Sequence, residues 1–546
     1  MSGETTVFSA RKIITMNRYQ PEASHVAVRQ GCILGVGRLD ELAGWGDYTL
    51  DERFADKVLL PGFVEGHCHL MEGSIWRYQY AGSHARTGPD GQLHEGLTSI
   101  EAVVERLCQV ESEMPDADAP LVAWGFYPIY FEGRRMNRQD LDAVSQRRQV
   151  AVVHSNFHIM NVNSAVLEGA NITAATNVEG IVKDAAGEPN GELQEMAAKF
   201  MALSTMGVDY FSEVGEPQSL ENFGRIACQT GVTTATDLYN AAPDEAVASM
   251  LECTRREDFR FRIVPAFGGS SMPARDGVAR VHELKKLNHE KLHFGIVKLV
   301  TDGSIQGFTG RLKWPGYYNG AANGVWNVTP DELEEVLGGY HDGGLQVFIH
   351  ANADEASELA IEAVEAVLAR SPRPDHRHTL QHCQMADEAQ FRRMARLGIC
   401  VNLFANHIYY WGDEHLATTL GPDRAKRMDA ANTAKRWGVP FAIHSDAPVT
   451  PLGPLFTAWC AVNRLTASGQ VLGPEERIST ADALYAITQG AAYTLKLDHE
   501  IGSIEVGKRA DFAVLEDDPL LVAPETLRDV PVWGTVLGGR VFAAAD

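Results

Sequence analysis

The 546-residue sequence lacks several features that define other classes of protein. No run approaches the ~18 apolar residues of a membrane-spanning helix, and the opening stretch MSGETTVFSARKIITMN has no apolar signal core. Basic side chains are scarce, since 48 Lys and Arg face 72 Asp and Glu, giving a formal net charge of −24. We therefore expect a cytoplasmic protein that binds neither membranes nor nucleic acids, because phosphate recognition needs clustered cations.

Cysteine pairs with zinc-knuckle spacing are also absent. The eight cysteines are scattered without a CxxC pair, which argues against a disulfide scaffold and predicts reduced thiols. The remaining composition, 45% hydrophobic and 22% charged, is that of a large globular protein. It favours an enzyme for a small neutral or cationic molecule. The oligomeric state stays open, with a homodimer as one option.

Eight apolar segments of β type alternate with helical patterns through the middle of the chain. Such alternation is typical of βα units around a parallel sheet. In the helical pattern at 354–370, Ala360, Val364 and Val367 form an apolar stripe at i, i+4 and i+7. Eight strands are the number in a TIM (β/α)8 barrel, so we predict this α/β fold. The candidate strands are 59–69, 232–239, 261–267, 295–303, 345–352, 378–384, 400–405 and 441–447.

The rest of the sequence divides into two terminal segments and one long insertion. Short β-rich segments with glycine turns occur at both ends, so we expect residues 1–60 and 500–546 to form a small composite β-sandwich domain. Residues 61–499 would form the metal-binding barrel. The interval after its first strand is too long for one βα connection. We therefore expect residues 71–225 to be an inserted α/β subdomain over the barrel mouth, with strands at 121–126 and 150–157.

Two histidines stand one residue apart in PGFVEGHCHL, residues 61–70, at the end of the first predicted strand. Residues i and i+2 of a strand point to the same face, so the imidazoles of His67 and His69 would project together. Such a pair is a weak signal by itself, because two unrelated polar positions near a strand end give the same pattern.

More candidate ligands stand at or near the carboxyl ends of other predicted strands, the face where catalytic residues of such barrels gather. Imidazole nitrogen and carboxylate oxygen suit a divalent metal such as zinc. A single histidine at a strand end is more often a hydrogen-bonded structural residue, but the shared placement of several favours a metal centre. These further candidates are Lys298, His350, His382 and Asp446.

The motifs GFVEGHCH, VKLVTDGS, VFIHANADEA, LQHCQ and IHSDAPV, in this order and spacing, resemble those of the amidohydrolase superfamily. More narrowly they resemble the amidohydrolase-3 branch, the YtcJ-like proteins that include N-substituted formamide deformylases. The resemblance runs through nearly the whole chain. It implies a TIM barrel with one or two metal ions that hydrolyses amide-like bonds or deaminates. By motif it implies metal ligation by His67, His69, Lys298, His350, His382 and Asp446.

Two departures from the branch bear on the substrate more than on the chemistry. The segment HANADEA stands where the branch more often has a glycine before the acid, and His444 stands where glycine is usual.

Lys298 ligates a metal only if its charge is removed, because an ammonium group would be repelled by divalent cations. Reaction of the neutral amine with CO2 gives an anionic carbamate, the form in which related enzymes use this lysine. We hypothesise a binuclear site in which carboxylated Lys298 and a hydroxide bridge two metals about 3.5–4 Å apart. One metal would take His67, His69 and Asp446, and the other His350 and His382. The alternative is one metal and an unmodified lysine, with His382 orienting the substrate.

The predicted reaction is hydrolysis of a non-peptide C–N bond, of amide or N-formyl type, by metal-activated hydroxide. Asp446 would accept the proton and return it to the leaving nitrogen. The second metal, or His382, would polarise the carbonyl. The alternatives are deamination or cyclic-amide hydrolysis, then decarboxylation or ester cleavage. A non-catalytic protein on a decayed barrel should have lost ligands, and none is missing.

Five further residues are candidates for substrate contact, each with a structural alternative. Asp302 follows the fourth-strand lysine at i+4 and would order a metal ligand or form a turn. His158, in the insertion, would contact substrate or make a structural hydrogen bond. Trp124, His407 and Tyr409 would line a pocket for an apolar or aryl substituent, or pack in the core.

Overall fold

The chain, in a computed structural model, divides into two compact units. The structure describes residues 4–42, 44, 46–130, 134–210 and 212–545. The first unit comprises Met1–His69, Ala227–Asp446 and Leu452–Asp546, and the second comprises Leu70–Ile226 and Ala447–Pro451.

The strands are numbered in chain order. They are β1 (Thr5–Ile14), β2 (Glu22–Arg29), β3 (Cys32–Gly37), β4 (Tyr48–Pro61), β5 (Phe63–Glu65), β6 (Gln79–Tyr80), β7 (Arg86–Thr87), β8 (Leu93–His94), β9 (Leu121–Phe126), β10 (Val150–His154), β11 (Ile159–Val162), β12 (Ile181–Lys183), β13 (Pro189–Gln194), β14 (Val232–Asn240), β15 (Arg262–Gly268), β16 (Ile296–Val300), β17 (Gln346–Ala351), β18 (Thr379–His382), β19 (Cys400–Leu403), β20 (Phe441–Ile443), β21 (Phe512–Leu515), β22 (Val532–Leu537) and β23 (Arg540–Ala543).

The α-helices are numbered in the same way. They are α1 (Leu39–Leu42), α2 (Met71–Ser74), α3 (Ile100–Glu113), α4 (Arg138–Asp142), α5 (Ser164–Gly169), α6 (Glu195–Met206), α7 (Pro217–Gln229), α8 (Asp244–Arg255), α9 (Ala274–Lys285), α10 (Pro330–Asp342), α11 (Asp354–Arg370), α12 (Glu388–Leu397), α13 (Asn406–Glu414), α14 (Gly421–Ala425), α15 (Ala431–Trp437), α16 (Pro454–Asn463), α17 (Thr480–Ala486) and α18 (Gln489–Thr494). A π-helical turn, His415–Thr419, follows α13 directly. In the part of the chain that the structure describes, no helix is long and apolar enough to cross a membrane.

Eight parallel strands form the central sheet of the first unit. Their order in the sheet is β20-β19-β18-β17-β16-β15-β14-β5. Each strand therefore pairs with the barrel strand that precedes it in the sequence and with the one that follows it. Helices between successive strands provide the crossovers that parallel pairing requires. Apolar side chains from separate strands of this sheet pack together in one buried core, among them Val64, Leu238, Val264 and Phe348. This sheet fits the predicted TIM-like barrel.

The first predicted strand, 59–69, is two strands in the structure. β4 ends at Pro61 and pairs with β1 and β21, whereas β5 pairs with β14 of the barrel. His67 and His69 lie beyond β5, so the prediction that they share a strand face is wrong. A hydrogen bond from backbone to side chain holds this segment instead. In it, the Cys68 N–H donates to Thr236 Oγ1 at 3.1 Å.

The fourth predicted strand, 295–303, is shorter in the structure and ends at Val300. The prediction that Asp302 shares it with Lys298 is therefore wrong. Beyond Val300 the backbone turns to loop partners, since the Thr301 carbonyl accepts the Asn327 N–H at 2.8 Å and the Gly303 N–H donates to the Thr309 carbonyl at 3.1 Å.

Strands from both ends of the chain form a second sheet in the first unit. It has seven strands in the order β23-β22-β21-β4-β1-β2-β3. Phe8, Phe54 and Phe512 lie in its core, and the ring centroids of Phe8 and Phe54 are 5.7 Å apart. Packing of this sheet as a sandwich stays a prediction.

The second unit contains a six-stranded sheet in the order β12-β13-β11-β10-β9-β6. β9 matches the predicted strand 121–126, and β10 ends at His154 within the predicted 150–157. Alternate side chains of β9 enter two different cores: Val122 and Trp124 join one, and Leu121 and Ala123 the other. Burial of both faces explains why these strands are continuously apolar. The predicted place of this unit over the barrel mouth stays a prediction.

Candidate metal centre

Six predicted ligands stand at the carboxyl edge of the barrel sheet, because parallel strands all end on the same side. Lys298 lies within β16, His350 within β17, and His382 is the last residue of β18. His67 and His69 follow β5, and Asp446 follows β20.

Asp446 lies between the two histidines of the first motif. Its Oδ1 is 3.2 Å from Nε2 of His67 and 3.4 Å from Nε2 of His69. The three side chains can each offer one ligand atom within 4.8 Å of the others. His67 and Asp446 are buried, whereas the His69 side chain is 31% exposed. One carboxylate and two imidazoles are therefore close enough to bind one cation together.

His382 joins this set to His350. Its Nε2 is 3.0 Å from Nδ1 of His350, and its Nδ1 is 3.9 Å from Oδ2 of Asp446. The rings of His382 and His67 are in contact, with centroids 4.4 Å apart. His67, His382 and His444 form a second group whose ligand atoms lie within 4.8 Å of one another. The sequence-predicted histidines thus meet in one cluster.

Lys298 adds a buried amine whose Nζ has no hydrogen-bond partner among the described residues. Burial lowers its pKa to about 7, although the Asp446 carboxylate opposes this shift. An orphaned ammonium in this position would be costly. At neutral pH a substantial share of this amine is unprotonated, and only that form reacts with CO2.

The electrostatics keep three buried imidazoles neutral and the carboxylate ionised. Burial lowers the pKa of His67 to about 4 and lowers the pKa values of His350 and His382 well below their usual range. Burial alone would raise the pKa of Asp446, but the adjoining imidazoles of His67 and His69 hold it well below its ordinary value. Neutral imidazoles and an ionised carboxylate are the forms that bind a metal ion.

The donor set fits a divalent cation on a further ground. Several buried polar atoms in this cluster have no hydrogen-bond partner among the described residues, and a buried polar group without a partner is costly. A cation would satisfy those that present a lone pair: the carboxylate oxygen, the unprotonated imidazole nitrogens and the lysine once its charge is removed. The atoms without a partner are Nζ of Lys298, Nδ1 of His382, Oδ1 of Asp446 and both ring nitrogens of His444.

Asp302 organises the backbone beside His350. Its two carboxylate oxygens accept the N–H groups of Asn352 at 2.9 Å, Arg311 at 3.0 Å and Ala353 at 3.2 Å. Its Oδ1 is also 3.8 Å from Nε2 of His350. This geometry matches the turn role and places Asp302 next to His350, a predicted ligand. Substrate contact stays a prediction.

His407 and Tyr409 lie on α13, which follows the seventh barrel strand. His407 is buried, and its Nδ1 is 2.8 Å from Nε2 of His415. The ring of Phe404 is near both His407 and the predicted ligand His382, with ring centroids 4.8 Å from His407 and 5.8 Å from His382. Tyr409 packs edge-on against Phe456. Both residues stay candidates for substrate contact.

His158 and Trp124 belong to the second unit. His158 is exposed, and its Nδ1 is 3.1 Å from a carboxylate oxygen of Glu195. Trp124 is fully buried in a core that includes Tyr80, with ring centroids 5.0 Å apart. Both residues thus have structural partners, and their contact with substrate stays a prediction.

The Amidohydrolase family model matches residues 55–543. The chain belongs to the amidohydrolase family. The putative amidohydrolase YtcJ of Bacillus subtilis is 27% identical over 550 residues, covering 97% of this chain and 97% of that protein. N-substituted formamide deformylase of Arthrobacter pascens is 26% identical over 549 residues, covering 95% and 94%. These relatives confirm the branch predicted from the motifs.

The fold of this amidohydrolase also matches a solved structure. An uncharacterized metal-dependent hydrolase from Pyrococcus horikoshii superposes with a TM-score of 0.74 at 19% identity, covering 95% of this chain and 99% of that one. This likeness supports the predicted TIM-like barrel fold.

Three residues of the amidohydrolase centre were missed by the sequence reasoning as parts of the site. Glu65 is buried and accepts the Ser445 N–H at 3.1 Å and its hydroxyl at 3.0 Å. Gln381 contacts the ring of His67, and His444 stacks on that ring at 4.5 Å between centroids. The sequence does contain a pattern that could have identified them. Each is a polar residue that lies in a short apolar strand or directly after one, and each stands within two residues of a predicted ligand.

Proposed function

We propose that this protein is a metal-dependent amidohydrolase that cleaves the C–N bond of a small N-formyl or other non-peptide amide. The observation that carries the proposal is the convergence of His67, His69, His382 and Asp446 within the contact distances given above. Membership of the branch that includes N-substituted formamide deformylase favours an N-formyl or amide substrate.

The donor set supports a two-metal arrangement with carboxylated Lys298 between the sites. His67, His69 and Asp446 would hold one divalent ion, for which we propose Zn2+, and His350 and His382 would hold the other. The lysine pKa of about 7 supports carbamate formation at neutral pH. When bound, the metal supplies Lewis-acid activation of water and of the substrate carbonyl.

Asp446 has the geometry and charge state for proton transfer. Its carboxylate is ionised and touches two imidazoles, while Oδ1 makes no hydrogen bond among the described residues. An ionised carboxylate accepts the proton of the attacking water and then, as the acid, donates it to the departing nitrogen. The nitrogen leaves as a neutral amine, so Asp446 returns to its starting charge. His382 would orient the substrate carbonyl through its unpartnered Nδ1 if one metal is bound.

The test is a substrate screen with purified protein, stripped by a chelator and reloaded with Zn2+, Mn2+ or Co2+. N-alkyl and N-aryl formamides, N-acyl amines, cyclic amides, aminoheterocycles and matched esters are compared. The expected result is release of an amine together with formate or another carboxylic acid, dependent on metal.

The products separate the alternatives. Ammonia release from an aminoheterocycle identifies a deaminase, and a single product heavier by one water identifies a cyclic-amide hydrolase. Ester cleavage or CO2 release without amine release would move the protein to the second alternative. His350→Asn removes one predicted ligand from the same cluster. It serves as the inactive control and should abolish the metal-dependent rate. Equal turnover by wild type and His350→Asn would contradict the proposal.

A further inference from the structure

The ring of His67 is held at its edge by the side chain of Gln381. Nδ1 of His67 lies 2.7 Å from Oε1 of Gln381. The same Oε1 accepts a hydrogen bond of 3.1 Å from Nδ2 of Asn402. All three side chains are buried, so no solvent competes for these contacts.

Strand pairing brings the two amides together. Gln381 lies in β18 and Asn402 in β19, and the two residues are direct partners in the parallel register. Side chains of paired residues stand on the same face of a sheet, so the Asn402 amide lies beside the Gln381 amide. His67 reaches them from the loop after β5, at the carboxyl edge of the same sheet.

This chain of contacts favours one tautomer of the His67 ring. An amide oxygen is only an acceptor, so Nδ1 must be the N–H and Nε2 must present its lone pair. Nε2 is the atom that lies 3.2 Å from Asp446 Oδ1, inside the ligand cluster. Rotating the Gln381 amide by half a turn would oppose its NH2 to the NH2 of Asn402. With Asn402 in the orientation that the structure shows, Gln381 presents its oxygen to His67, and the neutral ring then carries its proton on Nδ1.

We propose that Gln381 and Asn402 are positioning residues that lock His67 in its Nδ1–H tautomer and thereby raise the affinity of the centre for its divalent cation. The inference rests on the proposed function, because it presumes that His67 ligates a metal. Partners that orient a metal-bound histidine typically contribute about 10- to 100-fold in metal affinity.

The experiment compares Gln381→Met with Gln381→Glu. Methionine has nearly the shape of glutamine but no acceptor, whereas glutamate keeps the acceptor at the same place. Zinc affinity is measured by competition with a chromophoric chelator, and ligand geometry by the visible absorption of the Co2+ form. We expect Gln381→Met to bind zinc at least about tenfold more weakly with an altered Co2+ spectrum. We expect Gln381→Glu to stay within about threefold of wild type.

A residue that only fills space would give the opposite order. The apolar, shape-matched methionine would then be tolerated, and the buried charge of glutamate would disrupt the site. Tight zinc binding by Gln381→Met together with loss by Gln381→Glu would overturn the inference.

Two further variants keep the test decisive. Asn402→Leu removes the donor that orients the Gln381 amide, so we expect a smaller fall in zinc affinity in the same direction. Gln346→Met is the matched control, since Gln346 is a buried barrel glutamine that donates to the carbonyls of Arg377 and Thr494, at 2.5 and 2.7 Å. Its loss should leave the zinc affinity and the Co2+ spectrum unchanged. Thermal unfolding of the metal-free proteins shows which variants are folded.

The proposed function and the inference fail in different ways. Wild-type protein that binds no divalent cation tightly would overturn both. If the wild type, Gln381→Met and Asn402→Leu all bind zinc with the same affinity, the positioning role alone is overturned. The proposed hydrolase function would still stand.

Discussion

The main-chain N–H of Asp446 donates a hydrogen bond of 3.1 Å to the carbonyl oxygen of His67. This bond joins the segment after the last barrel strand to the segment after the first. Glu65 and Ser445 make a second connection between the same segments. The backbone bond holds the carboxylate of Asp446 beside the imidazole of His67 whatever the state of their side chains.

Replacing Asp446 with asparagine should separate metal binding from proton transfer. Asparagine keeps the backbone bond to His67 and an oxygen near the imidazoles, but it cannot accept and return a proton. We expect the turnover rate to fall by at least about a hundredfold, while the metal content per chain, measured by elemental analysis, is largely retained. A variant that turns over near the wild-type rate would rule out Asp446 as the proton carrier.

Replacing Lys298 should reveal whether it carries a carbamate. The variant Lys298→Met removes the bridging group, so we expect at most one metal per chain after dialysis. Lys298→Glu restores a carboxylate at nearly the same place and should recover part of the second metal. The wild type should show a carbamate carbon by NMR after growth with labelled bicarbonate. Equal metal content in all three proteins would contradict the bridging role.

His378 should make the fold sensitive to acid. Its Nδ1 accepts the Val347 N–H at 3.0 Å and its Nε2 lies 2.9 Å from Nδ1 of His341, so both nitrogens are committed in the neutral form. Burial lowers the pKa of His378 well below its usual value. The unfolded chain takes up a proton near pH 6.5 and the fold does not, so stability is full above that pH and falls below it, by about 1.4 kcal/mol per pH unit.

The check is the free energy of unfolding of His378→Asn between pH 7.5 and 5. We expect the variant to be less stable at pH 7.5, by about 1–3 kcal/mol for the lost hydrogen bonds, and to lose less on acidification than the wild type. Parallel pH curves would show that another group sets the acid sensitivity.

Glu65 should respond to pH in the opposite direction. Burial raises its pKa to about 8, so the folded protein favours the protonated acid. Its contribution to stability is full below the unfolded pKa of about 4.3 and falls as the pH rises toward the folded value. Glu65→Gln mimics the protonated acid. The variant should therefore lose less stability than the wild type between pH 5 and 8, as measured by urea unfolding. An unchanged pH slope would mean that Glu65 is ionised in the fold.

His158 allows a clean test of substrate contact. Its pairing with Glu195 is exposed, and exposed ion pairs contribute little, about 0–1 kcal/mol. We therefore expect His158→Asn to leave the melting temperature almost unchanged and to raise KM if the imidazole binds substrate. A KM equal to that of the wild type, with a matching Glu195→Gln control, would leave only the structural role.

Local patterns in the sequence predicted the elements best where hydrogen bonding is regular. The helix at 354–370 and the strand at 121–126 match the structure residue for residue, because periodicity records which side chains are buried. The first and fourth barrel strands were predicted too long. Residues at their predicted ends bond to partners distant in sequence, as the Cys68 N–H bonds to Thr236 of β14 and the Thr301 carbonyl accepts the Asn327 N–H, and no local pattern encodes such a partner.

The sequence by itself determined the chemistry that is available: which residues are imidazoles, amines or carboxylates, and that they stand near the ends of strands. Only the tertiary structure decided which of them meet and in what state. Gln381 lies 314 residues from His67 along the chain and yet selects its tautomer, and burial among other chain segments shifts the lysine pKa to about 7. The physical reason is that ionisation and tautomer depend on desolvation and on neighbours within a few ångströms, which folding assembles from distant segments.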